Sequence, residues 1–274
     1  MSSPSAGAGD SKAIKSATSK AESSKAEKTP LSTCSSNVSL VRREPIGHLS
    51  KGVSIPDNHR TPKESYCVPP HYFPLIEDII LTRGQIVDRI EKVASEMYEF
   101  YRDVEQPVVL VVTLKGAITF FDELSRALRK IANTDMRGLK RSTYLEEYIR
   151  CSSYTGTSRG PDLKVDVAVA QVVEYCKHKH VVIVEDLIDS GSTLKALYDR
   201  FSACDQVLSV RTVCGFSKRT PLWNGFIPDW VAFDVTDQFI VGFGCDVDNH
   251  FRDLDHLSTI SECGKEKYLA DYNQ

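Results

Sequence analysis

Apolar residues recur along the chain with two distinct spacings. Behind a T-x-x-Q capping box at Thr82 and Gln85, Ile86, Ile90, Val93, Met97 and Phe100 fall at helical intervals. Ile118, Phe121, Leu124, Leu128 and Ile131 mark a second helix, and Leu194, Leu197, Tyr198 and Phe201 a third. Between them lie short runs rich in β-branched residues, which suit buried strands. These are Val108 to Leu114, Tyr144 to Ile149, Val181 to Glu185, Val207 to Gly215, Trp230 to Asp234 and Phe239 to Phe243. Val165, Val167 and Val169 alternate as a strand does, and Thr155 to Pro161 reads as a loop or lid. Strands alternating with helices predict an α/β fold, with a mostly parallel twisted sheet covered by helices on both faces.

This pattern starts only near Val68-Pro69-Pro70. Residues 1–30 are rich in Ser, Ala and Lys with almost nothing to bury, and residues 31–65 are turn-rich without periodicity. The predicted organisation is therefore a disordered extension over 1–65 and one folded domain over 66–274. The 274-residue chain is 41% hydrophobic, ample for a core, and its net charge of −3 gives no electrostatic case for nucleic acid or anionic membrane. No apolar run approaches the roughly 20 residues of a membrane span. No secretory, mitochondrial or peroxisomal signal is expected. The 8 cysteines are scattered without a C-x-x-C pair, which argues against zinc or redox motifs and for a reducing, cytoplasmic setting. His178 and His180 read as a solvated turn.

The chemistry concentrates at residues 181–193, VVIVEDLIDSGST. A buried strand ends in two carboxylates, Glu185 and Asp186. An acidic, hydroxyl-rich turn follows, Asp189-Ser190-Gly191-Ser192-Thr193, and then an amphipathic helix. Backbone amides at a helix start, with hydroxyls and a glycine, make an oxyanion cradle. The G-x-x-x-x-G-K-[ST] loop of nucleoside triphosphatases is absent. Carboxylates beside a phosphate need hydroxyls or a cation to face, and a sugar phosphate bound with Mg²⁺ supplies both.

This motif resembles the 5-phosphoribosyl-1-pyrophosphate (PRPP) site of type I phosphoribosyltransferases. Over residues 66–269 the chain is similar to the hypoxanthine-guanine phosphoribosyltransferases of the animal type. The segments carrying the likeness are Leu114-Lys115-Gly116, Ser153-Tyr154, the 181–193 motif, Ser217 to Pro221, and Phe239 to Asp246 continuing into Phe251-Arg252-Asp253-Leu254. The resemblance implies the type I fold with a small hood subdomain and a mobile loop. It implies purine salvage, with transfer of a phosphoribosyl group from PRPP to a 6-oxopurine, release of pyrophosphate, and Mg²⁺ as cofactor. It also implies roles for single residues. Glu185 and Asp186 face the ribose hydroxyls and Mg²⁺, and Ser190, Gly191, Ser192 and Thr193 hold the 5-phosphate. Asp189 sits near purine N7 as general base, or stabilises the positive charge that develops on the base. Lys115, Gly116 and Arg252 bind pyrophosphate. Lys218 donates to O6, Phe239 stacks on the base, Ile240 offers main-chain groups, and Asp246 touches the base edge and a second Mg²⁺. Ser153 and Tyr154 belong to the mobile loop. A homodimer or homotetramer is expected, with PRPP and a purine as partners and neither nucleic acid nor membrane.

Four positions depart from that family's pattern: Ala117 for glycine, Ser152 and Gln238 for lysine, and Cys245 for an aliphatic residue. They leave a second reading, a divergent PRPP- or nucleotide-binding paralogue with little catalysis.

Overall fold

The computed structural model describes residues 49–135, 144–150 and 167–269. The expected disorder of residues 1–30, the 155–161 loop, Ser152, Ser153, Tyr154 and Val165 lie outside them. The main sheet has six strands in the order β1-β7-β6-β5-β3-β4. Its strands are β1 (Val53–Ser54), β3 (Val108–Leu114), β4 (Tyr144–Arg150), β5 (His180–Ile188), β6 (Ser209–Lys218) and β7 (Trp230–Val235). Every pairing in it is parallel.

Side-chain alternation on the central strands explains why they read as unbroken apolar runs. Val108, Leu110 and Val112 of β3 and Val182 and Val184 of β5 enter the core under α1 (Arg83–Tyr101) and α2 (Ala117–Thr134). Val109, Val111, Val181 and Ile183 enter the opposite core, under α3 (Val167–Tyr175) and α4 (Ser192–Ser202). Both faces are covered, so both sets of positions must be apolar. The capping box forms as predicted: the Thr82 N–H donates to Gln85 Oε1 at 2.9 Å and the Gln85 N–H to Thr82 Oγ1 at 3.4 Å.

A second sheet, antiparallel and three-stranded in the order β2-β9-β8, draws β2 (Ile76–Leu81), β8 (Ile240–Val241) and β9 (Leu257–Ile260) from distant parts of the chain. Tyr72, Ile76, Val241, Phe251 and Ile260 give it its own core. It is the small hood, and α5 (Glu262–Leu269) follows it.

The structure corrects several expectations. Val167 and Val169 are helical, in α3. Val169, Val172 and Cys176 are buried at intervals of three and four, and a three-valine alternation is too short to outweigh that stripe. Ile118 is 47% exposed, because the buried face of α2 runs through Ala117, Phe120, Phe121, Leu124 and Leu128. Residues 49–65 belong to the folded part rather than to an extension. Their attachment is by backbone polar groups, which no periodicity reveals. Ser50 N–H donates to Asp229 O at 3.0 Å, Ile55 N–H to Asp234 O at 2.9 Å, and Arg219 Nη2 to Ile55 O at 2.6 Å. His178 is an exposed turn residue with φ of 59°, as a solvated turn requires, but His180 opens β5 and is buried. Its Nδ1 lies 2.8 Å from Ser209 Oγ, and burial pushes its imidazole down to about 4.

Candidate active site

After β3 the chain adds β4 on one side, then returns to add β5 on the other. Such a reversal opens a crevice beyond the carboxyl ends of the two strands, where ligands of open α/β sheets bind. β3 ends there at Leu114-Lys115-Gly116, with a cis peptide between Leu114 and Lys115, and β5 at Ile188-Asp189. Two helices begin at this crevice, α2 behind Gly116 and α4 behind Gly191, and neither has a side-chain cap. Gly191 holds φ at 80°, the left-handed region that glycine enters without penalty. Within the turn, Ser190 Oγ accepts the Ser192 N–H at 3.3 Å and donates to Ser192 Oγ at 3.1 Å, and Ser190 O accepts the Asn224 N–H at 2.9 Å, which ties the turn to the loop after β6.

The acid pair lies on the crevice floor. Glu185 Oε2 is buried and has no hydrogen-bond partner. Burial, then the charge of Asp186, holds the Glu185 carboxyl well above the ordinary carboxylate range. Burial also raises Asp186, opposed by its hydrogen bonds and by Arg252. Two adjacent, poorly solvated carboxylates with an orphan oxygen are a site that a hard cation or sugar hydroxyls would relieve. Among the described residues no three His, Cys, Asp or Glu side chains converge as a metal cage. That suits Mg²⁺, which takes one or two carboxylates and completes its shell from substrate oxygens and water.

A closed circuit of contacts joins the β3 turn to the hood. Gly116 packs so tightly on Asp186 that a Cβ there would lie 2.0 Å from Oδ2. Gly244, at φ of 95°, packs equally tightly on Gly116 O. Arg252 donates from Nη1 to Gly244 O at 2.7 Å and pairs through Nη2 with Asp246 Oδ1 at 2.6 Å. The Asn249 N–H donates to Asp246 Oδ2 at 2.7 Å, and Lys115 Nζ donates to Asn249 Oδ1 at 3.1 Å. Lys115, Gly116, Asp186, Asp246 and Arg252 are thus one connected group.

A second group stands at the carboxyl end of β6. Lys218 Nζ is 3.7 Å from Asp189 Oδ1 and 6.0 Å from the centre of the Phe239 ring. Phe239 is 38% exposed, so it is not a core-strand residue, whereas Ile240 is buried in β8 opposite Thr259. Among the departures, Ala117 and Cys245 are buried, and Gln238 Oε1 is buried with no hydrogen-bond partner.

Reading the sequence missed Thr113, Asn224 and Asn249. The Thr113 hydroxyl donates to Val184 O at 2.9 Å, bracing β3 against β5 one residue before the acids. Asn224-Gly225 is a turn dipeptide and Asn249 lies in an Asx turn off Asp246, so only local turn chemistry marked them.

The "Phosphoribosyl transferase domain" family model matches residues 78–248. A hypoxanthine-guanine-xanthine phosphoribosyltransferase of Plasmodium falciparum is 34% identical over 218 residues, 80% of this chain and 92% of the relative. The human hypoxanthine-guanine phosphoribosyltransferase is 32% identical over 205 residues, 75% of this chain and 90% of that one. Among solved structures, a hypoxanthine-guanine phosphoribosyltransferase from Schistosoma mansoni in complex with IMP superposes with a TM-score of 0.65. It is 26% identical, and the match covers 80% of this chain and 100% of that one.

Proposed function

The chain belongs to the phosphoribosyltransferase family, and we propose that it transfers the 5-phosphoribosyl group from PRPP to hypoxanthine or guanine, forming IMP or GMP and pyrophosphate in purine salvage. The observation that carries the base class is the Lys218 ammonium. It is only 12% exposed and is aimed between Asp189 and the open face of Phe239. A partly buried donor at that point matches a 6-oxo acceptor and leaves a 6-amino group facing a cation.

Each part of the crevice has a task in this reaction. The 5-phosphate rests on Ser190 to Thr193 at the amide end of α4. The ribose hydroxyls face Glu185 and Asp186. The pyrophosphate lies along Lys115-Gly116 and the Arg252 fork, whose planar donors suit paired phosphate oxygens. The base stacks on Phe239, its O6 accepts from Lys218, and its edge meets Ile240 main chain and Asp246. N9 bonds to the ribose C1 as the bond from C1 to pyrophosphate breaks. The proton on N7 passes to the Asp189 carboxylate, which Lys218 holds in place. Glu185 and Asp186 would hold one Mg²⁺ and Asp246 a second, and these ions would offset pyrophosphate charge in a site already rich in carboxylates.

The enzyme works as a homodimer or homotetramer in the cytoplasm, where the free thiols described in the structure stay reduced. Steady-state kinetics with PRPP, Mg²⁺ and a panel of hypoxanthine, guanine, xanthine and adenine test the reading, with Asp189→Asn as control. Turnover with 6-oxopurines is expected. No base consumed above that control would overturn it.

A further inference from the structure

Lys115 has a specific side-chain partner. Its ammonium, at the end of β3, reaches 134 residues along the chain to Asn249 Oδ1 at 3.1 Å. Asn249 is fixed for this contact. Its φ of 62° lies in the left-handed region, and its N–H is held by Asp246 Oδ2 at 2.7 Å. The Asp246 carboxylate is in turn engaged through its other oxygen by Arg252 at 2.6 Å. Arg252 and the Asn249 N–H thus share the two oxygens of Asp246, and the asparagine side chain offers Lys115 a neutral acceptor.

We propose that Asn249 is a positioning residue that holds the Lys115 ammonium, and that its neutrality sets how readily the lysine is released to a diphosphate. This rests on the assignment of Lys115 to the pyrophosphate side of the site. A hydrogen bond between an exposed ammonium and a neutral amide is weak enough for phosphate oxygens to outcompete, whereas a carboxylate would hold the lysine more firmly. The asparagine also meets a backbone requirement, since it tolerates positive φ better than other residues with a side chain. Parking and backbone fit are separable, because glycine and aspartate both accept that conformation while differing in what they offer the lysine.

The test compares the full-length parent with Asn249→Gly and Asn249→Asp. Both keep the backbone N–H that bonds Asp246. Acylation of Lys115 by an amine-reactive ester, read by mass spectrometry without ligand, should be fastest in the glycine variant and slowest in the aspartate variant. Calorimetric affinity for pyrophosphate with Mg²⁺ should follow the same order. The glycine variant should bind about two- to fivefold more tightly than the parent and the aspartate variant about two- to fivefold more weakly. KM for PRPP should move with it, while KM for the base stays within twofold. Labelling rates that do not order this way, or variants that shift pyrophosphate affinity in the same direction or not at all, overturn the proposal. Parent enzyme that labels in the expected order yet neither binds pyrophosphate nor turns over PRPP would overturn the functional reading and leave the tether standing.

Discussion

Replacing Gly116 by alanine should separate the geometry of the acid pair from the stability of the fold. Gly116 has φ −58° and ψ −45°, a helical conformation that alanine adopts freely, so the backbone imposes no cost. With no clash, the change would stabilise the protein by about 0.4–1 kcal/mol through the unfolded chain. The added Cβ, however, would lie 2.0 Å from Asp186 Oδ2, 2.5 Å from Cγ and 2.7 Å from Oδ1. Ordinary contact begins near 3.4 Å, so the Asp186 carboxylate must retreat by about 1.4 Å. Its hydrogen bond to the Glu185 side chain and the nearby Arg252 charge mean that its retreat disturbs both neighbours. A displacement of about 1 Å at a reacting centre typically costs on the order of 100-fold in rate, roughly 2.7 kcal/mol. The expected result is a fall of about that size in kcat/KM for PRPP, with a melting temperature within a few degrees of the parent. Activity within threefold of the parent, with the fold intact, would refute the assignment of Asp186 to the sugar-phosphate site.

Two further predictions follow from other parts of the molecule. Lys218→Met should lower kcat/KM for hypoxanthine and guanine by about 5- to 150-fold, the equivalent of roughly 1–3 kcal/mol for an unpaired buried acceptor, and should narrow the gap to adenine. Equal losses on all bases would mean that Lys218 does not read O6. His180 is held near 4 in the folded chain against about 6.5 when unfolded, so the unfolded state binds more protons between those values. Stability is therefore full above pH 6.5, falls as pH drops through that window by up to about 3 kcal/mol, and is flat below pH 4. Urea denaturation at pH 7, 5 and 4 should show this loss in the parent and a smaller one in His180→Asn; identical slopes would remove His180 from the account.

The main sheet was legible because its strands are buried on both faces. Val108 to Val112 and Val181 to Val184 have no polar positions to blur the pattern. The 181–193 turn was legible for another reason. Acids, hydroxyls and a glycine occur there within nine residues, in one uninterrupted order behind an apolar strand. The hood was legible only in part: the strand expected over 239–243 holds β8, but β9 has four residues and its partner β2 lies far away, so no local window holds their pairing. The edge strand β1 was hidden because Val53 is 46% exposed and its attachment is made by backbone groups. Asn249 was invisible because its role depends on a lysine far along the chain, which only the folded register brings within reach.

The hood also fixes when the protein becomes an enzyme during its own synthesis. The Asp78 N–H donates to Thr259 Oγ1 across 181 residues, so β2 emerges from the ribosome long before its partner strand exists. Pairing over such a separation is slow, and until it happens β2 is an apolar edge open to other chains. β3, β5 and the phosphate turn can assemble first from contacts nearer in sequence. A nascent chain halted before residue 239 therefore holds Glu185, Asp186 and Lys218 but not Phe239, Asp246 or Arg252. The crevice gains its hood side only when the segment from Phe239 to Ile260 has been made.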